Sequence, residues 1–523
     1  MKMNSIMTPQ QYFNHVAKPD IQRSTFDRSH GYKTTLDAGY LVPVFLDEAL
    51  PGDTFNLKAT MFGRLSTPIK PIMDNLYMDI HFFSVPYRLV WNNWKKFNGE
   101  QDNPGDTTNY LIPTQTSVGA GYGEQSIHDY LGLPTKLSGI THSALPLRAY
   151  NLIYNEWYRD ENLQNSVVVA KDDGPDPQAN YILLQRGKRK DYFTSALPWA
   201  QKGTAVSIPI GTAAPITADG TFRFTSNGTI NTGIKNSGDG NNPYAGASST
   251  GTVGTTELSY YSGLKADLSS ATAATINQLR QAFQIQRMYE RDARGGTRYT
   301  EVIRSHFGVI SPDARLQRPE YLGGGTVDIN MNPIAQTAPT VSGQTPQGNL
   351  SAVGTVTAHG FGFTKSFTEH EIIIGIVSVR ADLNYQQGLN RMWSRSTRFD
   401  FFWPALAHLG EQAILNKEIY AQGTSADDNV FGYQERYAEY RYKPSQVTGK
   451  FRSNATTPLD MWHLSQKFTS LPALNAGFIT EQPPIARIVA VPSEPNFLLD
   501  CYFKLITARP MPVFSTPGFI DHF

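Results

Sequence analysis

The sequence predicts a mainly β protein, a β-sandwich with helices and long loops hung between its strands. Three observations carry that expectation. Charged residues make up only 17% of the 523-residue chain while aromatics reach 12%, and 33 Pro with 43 Gly suit strands joined by turn-rich connections. Alternating or continuously apolar β-type runs recur near both ends and in the middle of the chain. Between them lie polar, Gly-rich stretches too long for ordinary hairpins, such as residues 98–148.

In chain order, 53–86 reads as two strands, DTFNLKATMFGRLS and LYMDIHFFSVP, around a turn at TPIKP, which predicts an antiparallel pair. In the second strand Tyr77, Asp79 and His81 alternate with Met78, Ile80 and Phe82. YRLVWNNWKKF (87–97) and AYNLIYNEWYRDEN (149–162) read as amphipathic helices. Residues 203–256 hold ten Gly, eleven Thr and five Ser but four charges, an abrupt shift that marks an insertion. Within it FRFTSNGTI predicts a hairpin around Asn-Gly. A helix follows from about Ser269 to Arg294, with Gly295-Gly296 as its stop and Ile276, Leu279, Phe283, Met288 and Tyr289 as its expected buried side.

Gly323 to Gly325 read as a turn before the strand-like TVDINMN. HEIIIGIVSVRADL (370–383) predicts a strand buried on both faces, because a one-faced strand would alternate. Pro404 suits the first position of a helix ending near Gly423. FLLDCYFKLITA (497–508) is the last strand, and in it Cys501 reads as a buried structural thiol. It feeds the tail ARPMPVFSTPGFIDHF, which Pro510, Pro512 and Pro517 keep from forming a helix. That tail carries Met511, Val513, Phe514, Phe519, Ile520 and Phe523, so an extended ribbon needing a docking surface is expected.

The chemistry-bearing motifs of nucleotide-binding, hydrolytic and metal sites are missing: there is no GxxxxGK[ST], GxSxG, HExxH or CxxC. His359 and His370 have no near ligand partner, and the acid pairs Asp172-Asp173 and Asp427-Asp428 sit beside turn residues. No catalytic, cofactor or metal residues are therefore assigned. The first twenty residues lack the apolar core of a signal peptide and no apolar run approaches about 18 residues, so a protein made and used in a cytoplasm, with no membrane insertion, is expected. A net charge of +1 argues against a free-standing DNA-binding domain. A polyanion would instead meet local patches such as RGKRK (186–190), the arginines from Arg280 to Arg318, or arginines near aromatics as in NRMWSRSTRF (390–399). In the helix, Arg280, Arg287, Arg291 and Arg294 share one face. A carbohydrate-binding or glycosidase-like sandwich and a phage fibre or decoration protein are the alternative classes the composition allows.

Four long segments resemble one family. They are KTTLDAGYLVPVFLDEALPGDTFNLKATMFGRLSTPIKPIMDNLYMDIHFFSVPYRLVWNNWKKFNGE (33–100), NYQQGLNRMWSRSTRFDFFWPALAHLGEQAILNKEIYAQG (384–423), FGYQERYAEYRYKPSQVTGKFRS (431–453) and RPMPVFSTPGFIDHF (509–523). In that order they are similar to the major capsid protein of gokushoviruses, small tailless phages of the microvirus family. The resemblance implies one eight-stranded antiparallel jelly roll spanning 1–523, with long loop insertions carrying several helices. It implies sixty copies in a T=1 icosahedral shell in the virion, assembled in a host bacterial cytoplasm around a circular single-stranded DNA genome, and no enzyme activity. It also implies an interior N-terminal arm (1–36), a three-fold protrusion from 203–256 that meets a host receptor, and a C-terminal tail (509–523). A small basic DNA-packaging protein and a pilot protein are the further partners it implies. The candidate nucleic-acid contacts are Arg23, Arg28 and Lys33 in the basic N-terminal segment and Arg391 and Arg395 beside aromatics. The candidate intersubunit contacts are Met511, Phe514, Phe519 and Phe523.

Overall fold

The computed structural model describes residues 22–204, 206, 276–313 and 317–514, and the backbone of five short strands between 216 and 266. The chain divides into two compact units, one of 1–200 with 295–523 and one of 201–294.

The larger unit is built on eight strands. They are β1 (His30–Leu36), β2 (Val42–Ala49), β3 (Thr54–Leu65), β4 (Leu76–Pro86), β5 (Glu320–Asp328), β6 (Leu350–Ser366), β7 (Glu371–Ala381) and β8 (Phe497–Arg509). They form two sheets with the orders β1-β8-β3-β6 and β2-β7-β4-β5, and every pairing is antiparallel. The first two strands after β1 alternate between the sheets and the last strand returns beside the first, which is the jelly-roll order of two interlocked Greek keys. Ser24–Asp27 extends the first sheet beside β8, and Asn330–Ala335 extends it beyond β6. Pro43 is tolerated because β2 is an edge strand.

The sandwich core follows from the period of two. In β3 and β8 every second residue is buried, so Phe55, Leu57, Met61, Leu499, Cys501 and Phe503 meet Ile80, Phe82, Ile373 and Val377 from the other sheet. Phe45 packs on Phe503 and Phe82 with ring centroids 5.1 and 6.1 Å apart. Cys501 is buried as expected, and burial pushes its thiol up to about 12, out of the nucleophilic range.

β7 is buried on both faces, as its uninterrupted apolar run predicts. Ile373, Val377 and Val379 enter the sandwich, while Ile372, Ile374 and Ile376 face a second core with Phe83, Val85, Trp91, Leu147, Tyr150 and Ile153. That second core belongs to the loop between β4 and β5, whose helix α1 (Leu145–Ile153) covers the outer face of the second sheet. Among the described residues the outward positions of the first sheet, such as Lys58, Phe62 and Tyr502, are exposed.

Several expectations are corrected. The strands within 53–86 exist but do not pair with each other; they lie in opposite sheets. Their ten-residue connection, 66–75, is longer than a hairpin turn and crosses the sandwich. The β4–β5 loop reaches the alternate face of β4: its Arg186 pairs with the buried Asp79, and its Tyr158 hydroxyl lies 2.8 Å from His81 Nδ1. The segment 87–97 is two single turns, Tyr87–Val90 and Trp94–Phe97. Trp91 between them is extended and fully buried, its indole N–H donating to Asp173 Oδ1 at 2.7 Å. The second expected helix starts earlier, with Pro146 in its first turn, and ends in a π-turn at Tyr154–Tyr158.

Gly323 to Gly325 lie within β5 and form no turn. A Cβ at Gly324 would stand 2.1 Å from the Ile80 carbonyl oxygen, and one at Gly325 would stand 2.0 Å from the Phe361 ring, so close strand packing explains the glycines. Nor do residues 404–423 form one helix. Pro404 opens a single 3-10 turn to Leu406, Gly410 takes φ +94°, and Glu411–Leu415 then pairs with Val430–Glu435. EQAIL buries Gln412 and Ile414, a period of two that overrides helical propensity.

The connection 98–148 holds a two-strand ladder, Thr114–Thr116 with Thr141–Ser143, and a buried His128. His128 stacks on Tyr122 at 3.8 Å and its Nε2 lies 2.8 Å from Gln115 Oε1. Burial, with some repulsion from His142, holds its pKa down to about 4. The native state therefore binds its proton later than the unfolded chain, whose histidine titrates near 6.5. Stability present above about pH 6.5 should be lost as pH falls toward 4, by up to about 3 kcal/mol. His128→Gln should flatten that part of a denaturation-midpoint profile against pH; an unchanged acid slope would show that His128 does not supply it.

In the smaller unit, Arg223–Ser226 pairs with Thr229–Thr232 with Ser226 opposite Thr229, as the predicted hairpin requires; its turn residues lie outside the described set, as does most of 203–256. Helix α2 (Ile276–Gly295) stops at the expected glycines, with Gly296 at φ +92°. Its apolar side is not buried: Ile276, Leu279, Phe283 and Met288 are exposed, as are Arg280, Arg287, Arg291 and Arg294. Residues 269–275 lie outside the described set. Among the described residues no helix is long and apolar enough to cross a membrane.

Candidate interaction surfaces

Half of the basic cluster at 186–190 is turned inward, contrary to the expectation of a polyanion patch there, while Arg189 and Lys190 stay exposed. Arg186 ion-pairs with Asp79 and donates to Ser378 Oγ at 2.7 Å, and Arg380 pairs with the same Asp79 at 2.9 Å. Burial alone would raise the Asp79 pKa, but Arg186, Thr326 and Arg380 outweigh it and hold the carboxyl below its ordinary value. Lys188 is buried over the Phe478 ring, and Lys190 pairs with Asp160. Sequence reading missed this because the compensating acids lie 30 to 107 residues away.

Arg391 and Arg395 are brought together by one buried acid. Arg391 Nη1 donates to Glu418 Oε1 at 2.9 Å and to the Ala413 carbonyl at 2.7 Å, while Arg395 lies 3.4 Å from Glu439 and over the Tyr440 ring. Arg391 Nε is 4.0 Å from the same Glu439. Burial raises the Glu418 pKa, opposed mainly by Arg391. Arg391, Glu418 and Glu439 line a cavity of about 200 Å³ with Tyr192, Tyr385 and Trp393.

Among the N-terminal candidates, Arg23 is exposed and reaches Thr54 Oγ1 at 3.4 Å. Arg28 makes two bonds to Asp47, at 2.7 and 2.8 Å. Lys33 stands on the outer face of β1, 2.8 Å from Asp500. The acid pairs do serve turns: Asp172 accepts from the Gly174 amide, and Asp427 accepts from the Gln422 and Gly423 amides.

Two apolar surfaces stand out. Residues 390–409 are short 3-10 turns in which Met392, Trp393, Phe399, Phe401, Phe402, Trp403 and Leu409 are between 41% (Trp403) and 71% (Trp393) exposed. In the sequence the arginines there stand out, whereas nothing local sets its phenylalanines apart from core residues. The second is the start of the tail, where β8 ends at Arg509 and Val513 and Phe514 are 56% and 80% exposed. Arg509 anchors the exit through Asp53 at 3.2 Å. Met511 is half-buried; Phe519 and Phe523 lie outside the described residues. Contiguous exposed apolar patches are a general mark of interaction surfaces.

A model of the phage capsid protein (F protein) family matches residues 14–519. The chain belongs to that family. Capsid protein VP1 of Bdellovibrio phage phiMH2K is 50% identical over 98% of this chain and 98% of its own length. Capsid protein VP1 of Chlamydia phage 1 is 45% identical over 99% and 98%, and that of Spiroplasma virus 4 is 35% identical over 99% of each chain. The resemblance carried by the four sequence segments thus holds over the whole chain, and this capsid protein is a major structural component of a phage particle, built to assemble and not to catalyse. The alignment with the Chlamydia phage 1 protein spans 591 positions, more than the 523 residues here, so that relative carries stretches with no counterpart in this chain.

Proposed function

We propose that sixty copies of this capsid protein close a T=1 icosahedral shell around a circular single-stranded DNA genome, assembling in the host bacterial cytoplasm. The observation that carries this reading is the exposed aromatic surface at 392–409, which suits repeated copy-to-copy contact. The tail from Met511 and Phe514 through Phe519 and Phe523 is a second copy-to-copy contact, with its exposed start supporting that role. The N-terminal arm (1–36) faces the interior, and Arg23, Arg28 and Lys33 lie along it. Arg391 and Arg395 reach nucleic acid only after leaving Glu418 and Glu439, and in the pairs they make here they hold the 390–440 loop.

The insertion 203–256 forms a projection at the three-fold axes that meets the host receptor; its Gly- and Thr-rich composition, with only four charges, supports that reading. At +1 per chain, a shell of sixty carries about 60 net positive charges against phosphates in the thousands for a kilobase-scale genome. Small cations and a small basic packaging protein must supply the balance. A pilot protein completes the particle.

Electron microscopy of particles purified with this chain tests the reading: closed isometric shells are expected, and a discrete trimer with no shell would overturn it. Deleting Pro510–Phe523 should abolish shells while leaving the subunit folded by circular dichroism. Normal particle yield from that truncation would remove the tail from the assembly contacts.

A further inference from the structure

We propose that the outer face of the sheet β1-β8-β3-β6 is where single-stranded DNA lies against the shell, with Phe62 and Tyr502 stacking bases and Lys58, Lys504 and Arg64 pairing phosphates. This rests on the reading of the protein as a single-stranded DNA capsid and names the contact surface within it.

Both sheets of the sandwich expose a face away from the core. The second sheet is covered by α1 and other residues of 87–184, whereas among the described residues the outward positions of β3 and most of those of β8 in the first sheet are exposed. Its outward residues alternate with core residues such as Leu57, Ala59 and Met61, so each is fixed in direction by the strand period. Phe62 and Tyr502 are 50% and 52% exposed, and neither has a ring contact among the described residues. The register sets Asp500 opposite Phe62 and Tyr502 opposite Thr60, so the two rings are diagonal neighbours on adjacent strands. A pair of open ring faces on a rigid sheet is a platform for unpaired bases; a duplex would keep its base faces hidden.

The charges match the same ligand. Lys58 stands directly opposite Lys504, and like charges in that position destabilise a sheet unless an anion lies between them. Arg64, opposite Leu498, lies on the same side. Among the described residues no carboxylate ion-pairs with any of the three. Two acids share the face: Asp500, held by Lys33, and Asp27, whose carboxyl is held low by Ser29 and, more weakly, by Lys504. The cations still outnumber them. A second copy packed face to face would set these lysines against their equivalents, which is electrostatically unfavourable.

The test uses full-length subunits released from particles and a labelled thirty-nucleotide poly-dT strand, read by fluorescence anisotropy across salt concentrations. K58Q/K504Q should weaken binding about tenfold and reduce the slope of log affinity against log salt by about 1.4, the loss of two phosphate contacts. F62A/Y502A should weaken it at least about fivefold per ring. K443Q/K450Q, which removes the same charge from exposed positions elsewhere, should stay within about twofold of wild type. Wild-type affinity and slope in both sheet variants would overturn this surface alone. A wild-type chain that forms shells yet has no affinity for the strand would overturn the genome reading as well. Unchanged binding with loss of shells would make the face a contact between copies.

Discussion

Replacing Arg148 with methionine should destabilise the subunit by about 3–5 kcal/mol, because it leaves Asp176 charged and buried without its partner. Arg148 is wholly buried. Its guanidinium donates to both oxygens of Asp176, at 2.8 and 2.5 Å, to the Val90 and Asp172 carbonyls at 3.1 and 2.9 Å, and to Asp172 Oδ1 at 3.2 Å. Tyr181 donates its hydroxyl to the same Asp176. One side chain on α1 thus ties the turn after β4 to the loop at 172–176, and so holds the β4–β5 loop over Ile372, Ile374 and Ile376. Urea denaturation measures the loss, and limited proteolysis should begin between 87 and 200. The double variant R148M/D176L should recover part of the loss, since it removes both charges. A shift under about 1 kcal/mol in the single variant would mean the loop is held by its apolar contacts alone.

The second large effect concerns assembly. Changing Phe399 and Phe402 to serine should leave the subunit folded, with stability within about 1 kcal/mol, because both rings are at least half exposed. Completing the burial of two such rings contributes roughly 2–3 kcal/mol to each contact between copies, so each contact should weaken by about 30- to 150-fold. In a closed shell that loss recurs at every equivalent contact. Sedimentation should therefore find free subunits in place of shells; normal shells from this variant would locate the copy-to-copy contacts elsewhere.

Much of the jelly roll was legible because its signals are local. Thr54–Leu65 and most of Phe497–Arg509 alternate with a period of two, broken in sequence by outward Phe62 and Leu498, and the Ile and Val run of β7 reported burial on both faces. What was not legible depends on partners far along the chain. Whether β3 pairs with β4 or faces it is decided by β6, β7 and β8. Gly323 to Gly325 looked like a turn because their reason, the nearness of Ile80 and Phe361, is tertiary. The cations of 186–190 looked available because Asp79 and Asp160 are distant in sequence, and Arg391 and Arg395 looked available for the same reason. The exposed phenylalanines at 399–402 resembled ordinary core residues until the strands around them accounted for the core without them.

The most direct test of a closed sixty-copy shell is the mass of the empty particle, measured by charge-detection mass spectrometry. Sixty chains of 58.1 kDa predict about 3.5 MDa. A particle of a different copy number, or a stable trimer as the largest species, would contradict the account.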